Sequence, residues 1–132
     1  MTVAAYKRTI SDTEAPRQIE RRVLAKVTAE LEQSYLAFDQ SDRRIERLQL
    51  LADGLRNVLW KNERVWMAFK FDLAEQENGL SPELKASLIS LAIWVEQHTQ
   101  ALMAGSRQIR PLIDVNRTII QGLGGMVLEA AE

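Results

Sequence analysis

Apolar residues recur at intervals of three and four along most of the chain, and this spacing constrains the fold more than any other feature. Residues three and four apart lie on one side of an α-helix, so each such segment predicts a helix with one buried face. The first segment has the stripe Ile19, Val23, Leu24, Val27, Leu31, Tyr35 and Phe38. No segment alternates apolar and polar residues between turn signals, and we therefore predict no strand.

The second predicted helix is long and runs from about Arg43 to Ala74. Gly54 lies inside it, but one glycine costs only about 1 kcal/mol relative to alanine, too little to stop so regular a pattern. Its stripe consists of Ile45, Leu48, Ala52, Leu55, Leu59, Asn62, Trp66, Phe69 and Leu73.

Start and stop signals place the remaining helices. Ser81-Pro82-Glu83 supplies a capping hydroxyl, a first-turn proline and an early acid, and this helix is expected to end near Met103, before Gly105. A fourth helix is predicted from Arg110-Pro111 to the glycines 122–125.

These segments predict an all-α fold, a small helical bundle of about four helices with the second one long. Pro16 is expected in the first turn of the first helix, which would begin near Glu14. The expected organisation is an N-terminal arm over residues 1–13, a bundle over residues 14–124 and a flexible tail over residues 125–132.

Catalytic and metal-binding patterns are missing. The chain has no cysteine and a single histidine, His98, so neither a thiol nucleophile nor a Cys/His metal site has candidates. Asp72, Glu75 and Glu77 lack the ligand spacing of a calcium loop. We therefore expect no enzyme activity, no metal and no cofactor.

Charge and hydropathy restrict the partners and the compartment. The chain has 17 basic and 18 acidic residues, and a net charge this close to zero disfavours direct binding of nucleic acid through its phosphates. The longest apolar run is Leu91–Val95, far short of the roughly 20 residues that a membrane span needs, and the start lacks the apolar core of a signal peptide. We expect a cytoplasmic protein without a membrane span.

Two of the predicted helices are more apolar than one buried face requires. On the second helix, Trp60, Met67 and Phe71 form another line about 100° from the main stripe, and the third helix adds Ile89, Ile93 and Trp94. Aromatic residues and methionine are typical of protein–protein interfaces. These residues could belong to the core, bind another protein or form a homodimer interface. If the tryptophans are core, the next candidate surface is the fourth helix through Val115, Ile119 and Ile120.

The first dozen residues carry three apolar side chains, Val3, Tyr6 and Ile10. They could form an arm that packs on the bundle, or an arm that occupies the partner-binding groove until the partner displaces it. A disordered terminus explains them equally well.

Several phrases of the chain form a pattern when they are taken together. They are Asp72-Leu-Ala-Glu-Gln-Glu-Asn78, Leu84-Lys-Ala-Ser-Leu-Ile-Ser-Leu-Ala-Ile-Trp-Val95, Asn62-Glu-Arg-Val-Trp66, Pro111-Leu-Ile-Asp-Val-Asn-Arg-Thr-Ile-Ile-Gln-Gly-Leu123, Ala5-Tyr6 and Pro16-Arg-Gln-Ile-Glu20. In the order and spacing of these phrases, from Ala5 to about Leu123, the chain resembles the FlaF family of flagellar biosynthesis regulators. The chain departs from the family pattern at Ser81-Pro82, where the family has leucine followed directly by proline.

The resemblance implies a role in handling flagellin. FlaF-like proteins promote flagellin production and export, are thought to bind flagellin, and act against FlbT, which restrains flagellin synthesis. The resemblance thus implies a cytosolic secretion chaperone or adaptor that covers the terminal amphipathic helices of flagellin. The alternative is a post-transcriptional regulator that acts with FlbT on flagellin mRNA.

Overall fold

The computed structural model describes residues 3–75, 79–106 and 108–131, and the side chains of 19–75, 79–106 and 108–122 within them. These residues form five helical segments and no strand: α1 (Val3–Gln40), α2 (Arg44–Leu50), α3 (Arg56–Ala74), α4 (Pro82–Met103) and α5 (Arg110–Ala131). A π-helical turn, Leu51–Leu55, joins α2 and α3 into one kinked helix of 31 residues. The predicted all-α bundle of four helices with a long second helix is therefore confirmed.

One hydrophobic core lies between α1, α3, α4 and α5. The buried apolar residues are Leu24, Val27, Leu31, Phe38, Leu51, Leu55, Leu59, Trp66, Phe69, Leu73, Ala92, Val95, Leu102, Ile109, Leu112 and Ile113. The predicted stripes supply most of this core, but Ile19, Val23 and Ile45 are exposed. Leu51 is buried where the predicted stripe has Ala52, which is exposed.

Gly54 kinks the long helix instead of merely weakening it. Its φ of 128° and ψ of −21° are far from helical values. Residues with a Cβ rarely adopt a positive φ, whereas glycine does so at little steric cost. The chain therefore uses the one glycine in this helix to change direction between α2 and α3.

Local signals set the limits of α4 as predicted. The Ser81 hydroxyl accepts a hydrogen bond from the Leu84 N–H at 3.2 Å, and Pro82 lies in the first turn. Gly105 ends the helix with a φ of 82°, and its N–H donates to the Leu102 carbonyl at 2.8 Å. A side chain from elsewhere caps α5, because the Asp39 carboxylate accepts from the N–H groups of Ile109 and Arg110 at 2.7 and 3.0 Å.

Two predicted helix limits are wrong. The first helix begins at Val3 instead of Glu14, and α5 continues through the glycines 122–125 to Ala131. Relative to alanine, a glycine in a helix costs about 1 kcal/mol and a proline in its interior about 3 kcal/mol, so neither residue by itself must end a helix that its other residues favour. The side chains of Val3, Tyr6 and Ile10 lie outside the described part, so the contacts of the predicted arm stay a prediction.

Candidate partner-binding surface

A buried polar cluster fixes the rotation of α3 within the bundle. The Trp66 Nε1–H donates to Asn116 Oδ1 at 2.8 Å, and Asn116 Nδ2 donates to Asn62 Oδ1 at 2.7 Å and to Thr28 Oγ1 at 3.0 Å. All four side chains are buried, and they join α1, α3 and α5. Since buried polar groups need hydrogen-bond partners, rotation of α3 about its axis is unfavourable. The opposite side of α3 is thereby held towards solvent.

That outward side carries Trp60, Arg64, Met67 and Phe71, which we call the outer stripe. Trp60 is 49% exposed, Met67 42% and Phe71 73%, so three large apolar side chains lack cover from the described chain. Arg64 lies over the Trp60 ring, with its guanidinium carbon 4.7 Å from the ring centroid. The sequence spacing placed these three apolar residues together, and the structure places them on one solvent-facing side.

The other predicted site residues divide into two groups. Ile93 on α4 is 40% exposed, whereas Ile89, Trp94, Val115 and Ile119 are partly buried and pack against the core.

Trp94 has a local partner within α4. Its ring stacks on His98 at a centroid distance of 4.7 Å, and His98 Nε2 lies 2.6 Å from the Gln108 carbonyl oxygen. Trp94 is therefore tied to the α4–α5 connection. It is a weaker candidate for partner contact than Trp60.

The flank between α3 and α4 carries a small excess of negative charge. Lys70 Nζ lies 3.3 Å from Glu96 Oε1, and this ion pair bridges the two helices. Partial burial, together with the nearby Glu96 carboxylate, raises the pKa of Glu63. This flank thus presents two carboxylates against one cation.

The side of α3 that faces α1 has the opposite charge. A groove of about 310 Å³ between the two helices is lined by Val23, Lys26, Val27, Glu30, Trp60, Lys61, Arg64 and Val65. Lys61 Nζ lies 3.7 Å from Glu30 Oε2 across the groove. The sequence pattern did not indicate this groove, because the spacing of Val23 fits the buried stripe, whereas Val23 is 45% exposed in the structure.

A second cleft of about 570 Å³ lies beside the kink at Gly54. It is lined by Leu51, Ala52, Gly54, Arg56, Asn57, Trp60 and Met103. Trp60 therefore lines both depressions.

The described residues contain no group of three or more His, Cys, Asp or Glu side chains that could hold a metal ion. Within the same ranges, no helix combines the length and apolar character that crossing a bilayer requires.

Comparison with known proteins gives one informative match. The family model described as Flagellar protein FlaF matches residues 2–123. The matched range includes the buried polar cluster, the outer stripe and both of its flanks. Neither a curated protein nor a solved structure matches the chain.

Proposed function

This chain belongs to the FlaF family of flagellar proteins, and from that membership we propose that it binds flagellin as a cytosolic secretion chaperone or adaptor. Flagellin is proposed as the partner because of the family resemblance alone. In this proposal the protein covers an amphipathic helix of flagellin before export and thereby promotes flagellin synthesis and export. It acts by binding alone, without a catalytic step, a metal or a cofactor.

The outer stripe is the observation that supports binding. Large apolar side chains grouped on an exposed helix face are typical of protein-interaction sites, because leaving them in water is unfavourable. Trp60, Met67 and Phe71 repeat at intervals of seven and four, so they follow one side of α3 for about three turns. A partner helix can lie along such a stripe and bury its own apolar side chains against it.

A co-elution experiment with purified flagellin tests this function. We expect the unaltered protein to co-elute with flagellin in size-exclusion chromatography. Phe71→Glu should abolish co-elution, because a carboxylate would then face the apolar side of the partner helix. Phe71 is 73% exposed, more than any other large apolar side chain that the structure describes, so the substitution should leave the bundle folded.

Leu36→Glu is the matched control for Phe71→Glu. Leu36 is 53% exposed on α1, outside the outer stripe, and its substitution introduces the same charge. We expect this variant to bind flagellin like the unaltered protein, with both variants retaining the helical circular dichroism spectrum. Failure of the unaltered protein to bind flagellin would contradict the proposed function.

The regulatory alternative, in which the protein acts with FlbT on flagellin mRNA, is supported by the family resemblance alone. Direct RNA contact would depend on phosphate-binding cations, and the near-zero net charge disfavours it. A gel shift with flagellin leader RNA at low and high salt separates the two functions. We expect no shift, and tight binding that weakens steeply with salt would favour the regulator.

A further inference from the structure

We propose that the groove between α1 and α3 is the docking site and that it takes an amphipathic helix with acidic residues beside its apolar stripe. This inference rests on the proposed function, because it specifies where the partner helix lies and which charges it carries. The groove is bounded by Val23 and Lys26 on α1 and by Trp60, Lys61 and Arg64 on α3.

Charge distinguishes the two flanks of the outer stripe. The groove towards α1 contains three cations, Lys26, Lys61 and Arg64, and one carboxylate, Glu30. The flank towards α4 contains the carboxylates of Glu63 and Glu96 around Lys70. An acidic partner helix is attracted by the first flank and repelled by the second, so electrostatic complementarity sets its position.

The cations of the groove are available to a partner. Lys26 and Arg64 form no ion pair with any residue that the structure describes. The Lys61–Glu30 pair is at 3.7 Å with both side chains partly exposed, and such pairs contribute little to stability. A partner carboxylate could therefore pair with these cations without breaking a strong contact.

Apolar contacts extend the groove beyond its centre. Val23 and Trp60 lie on opposite walls, each about half exposed, and Val65 is partly buried between the helices. Ile19, one helical turn before Val23, is 54% exposed. From Trp60 to Phe71 the stripe advances by eleven residue positions, about 16 Å along the helix axis. That length matches three turns of a partner helix.

Two synthetic peptides test the groove without flagellin. Both are helical, of roughly 15 residues, with one shared apolar stripe, and they carry either Glu or Lys at the flanking positions. We expect the Glu-flanked peptide to bind the full chain more tightly than the Lys-flanked one, with an affinity that falls at high salt. Equal binding of both peptides, or binding of neither, would overturn the assignment.

Arg64→Glu locates the binding within the groove. Reversing this exposed charge should weaken the Glu-flanked peptide about fivefold or more, since attraction becomes repulsion. Lys26→Glu, on the opposite wall, should act in the same direction. Arg43→Glu is the matched control, because Arg43 is also an exposed cation but lies outside the groove, before α2. An unchanged Kd in both groove variants would exclude the groove.

The same variants separate this inference from the proposed function. If flagellin co-elutes with the unaltered protein and equally with Arg64→Glu and Lys26→Glu, the groove assignment fails and flagellin binding stands. If flagellin does not bind but the Glu-flanked peptide binds and responds to both substitutions, the proposed function fails. In that case the groove remains a docking site for a different acidic helix.

Discussion

At the scale of single residues, Asn116 is the most connected side chain in the core. Its amide accepts from Trp66 and donates to Asn62 and Thr28, and so one side chain contacts three others on two helices. Asn62 Nδ2 itself lacks a hydrogen-bond partner in the described structure. Because this cluster orients α3, it also determines which α3 side chains are left for a partner.

Asn116→Ala should lower the free energy of unfolding by about 3 kcal/mol, because the Trp66 N–H and Asn62 Oδ1 would both be buried without partners. Urea denaturation followed by circular dichroism measures the change. Thr118→Ala on the exposed side of α5 is the control, and it should stay within about 0.5 kcal/mol of the unaltered protein. A loss below about 1 kcal/mol for Asn116→Ala would show that the cluster contributes little.

The sequence predicted the position of Asn62 but not its hydrogen bonds. Asn62 lies on the predicted buried stripe, and Asn116 follows the apolar residues of the fourth helix. Which side chains meet depends on the relative axial positions of three helices and on which helices are neighbours, and periodicity within one helix indicates only its buried face. Val23 shows the same limit, since its spacing fits the buried face although it lines the groove.

At the scale of elements, some helix ends are set by residues adjacent to them in the sequence, and others also by a residue far away in the sequence. Ser81, Pro82 and Gly105 act within α4 itself, and the sequence therefore predicted its limits. The start of α5 was also predicted, from Arg110-Pro111, but the carboxylate that caps it comes from Asp39, seventy residues earlier in the chain. Gly54 was predicted to be tolerated, but the kink it forms could not be inferred, because a helical and a kinked glycine have the same apolar pattern around them.

Asp39→Ala should lower the free energy of unfolding by about 1–2 kcal/mol. The substitution leaves the Ile109 and Arg110 N–H groups without their acceptor and removes a negative charge from the positive end of the α5 dipole. Asp42→Ala, exposed in the connection after α1, is the control for the loss of a carboxylate. Thermal unfolding should separate the variants, and equal midpoints would contradict the capping role.

At the scale of the whole molecule, side-chain hydrogen bonds hold together the end of the bundle where the α1–α2 and α4–α5 connections lie. We call this part of the bundle the tied end. Arg44 Nε donates to the Ala104 carbonyl at 2.9 Å, and Arg47 donates to the carbonyls of Gly105 and Ser41. With the Asp39 cap, these bonds attach the end of α1 and the start of α2 to the α4–α5 connection. The buried polar cluster joins α1, α3 and α5 further along.

This arrangement predicts that the bundle unfolds as one cooperative unit. Thr28 and Asp39 are eleven residues apart on α1, about 16 Å along its axis, so substitutions at the two contact sets should act independently. The double variant Asp39→Ala/Asn116→Ala should lose the sum of the single effects within about 0.5 kcal/mol.

Urea curves from circular dichroism and tryptophan fluorescence should coincide for the double variant, because Trp60, Trp66 and Trp94 together report on packing around α3 and α4 and the helical signal reports on the whole chain. Separate transitions would show that the tied end unfolds independently of the cluster. Coincident curves would mean that α1 and α3 unfold in one transition with the rest of the bundle. The groove walls, Val23 on α1 and Trp60 on α3, would then be in place in the folded protein before a partner arrives. A partner helix would then meet a preformed site, and little of its binding free energy would be spent on ordering the bundle.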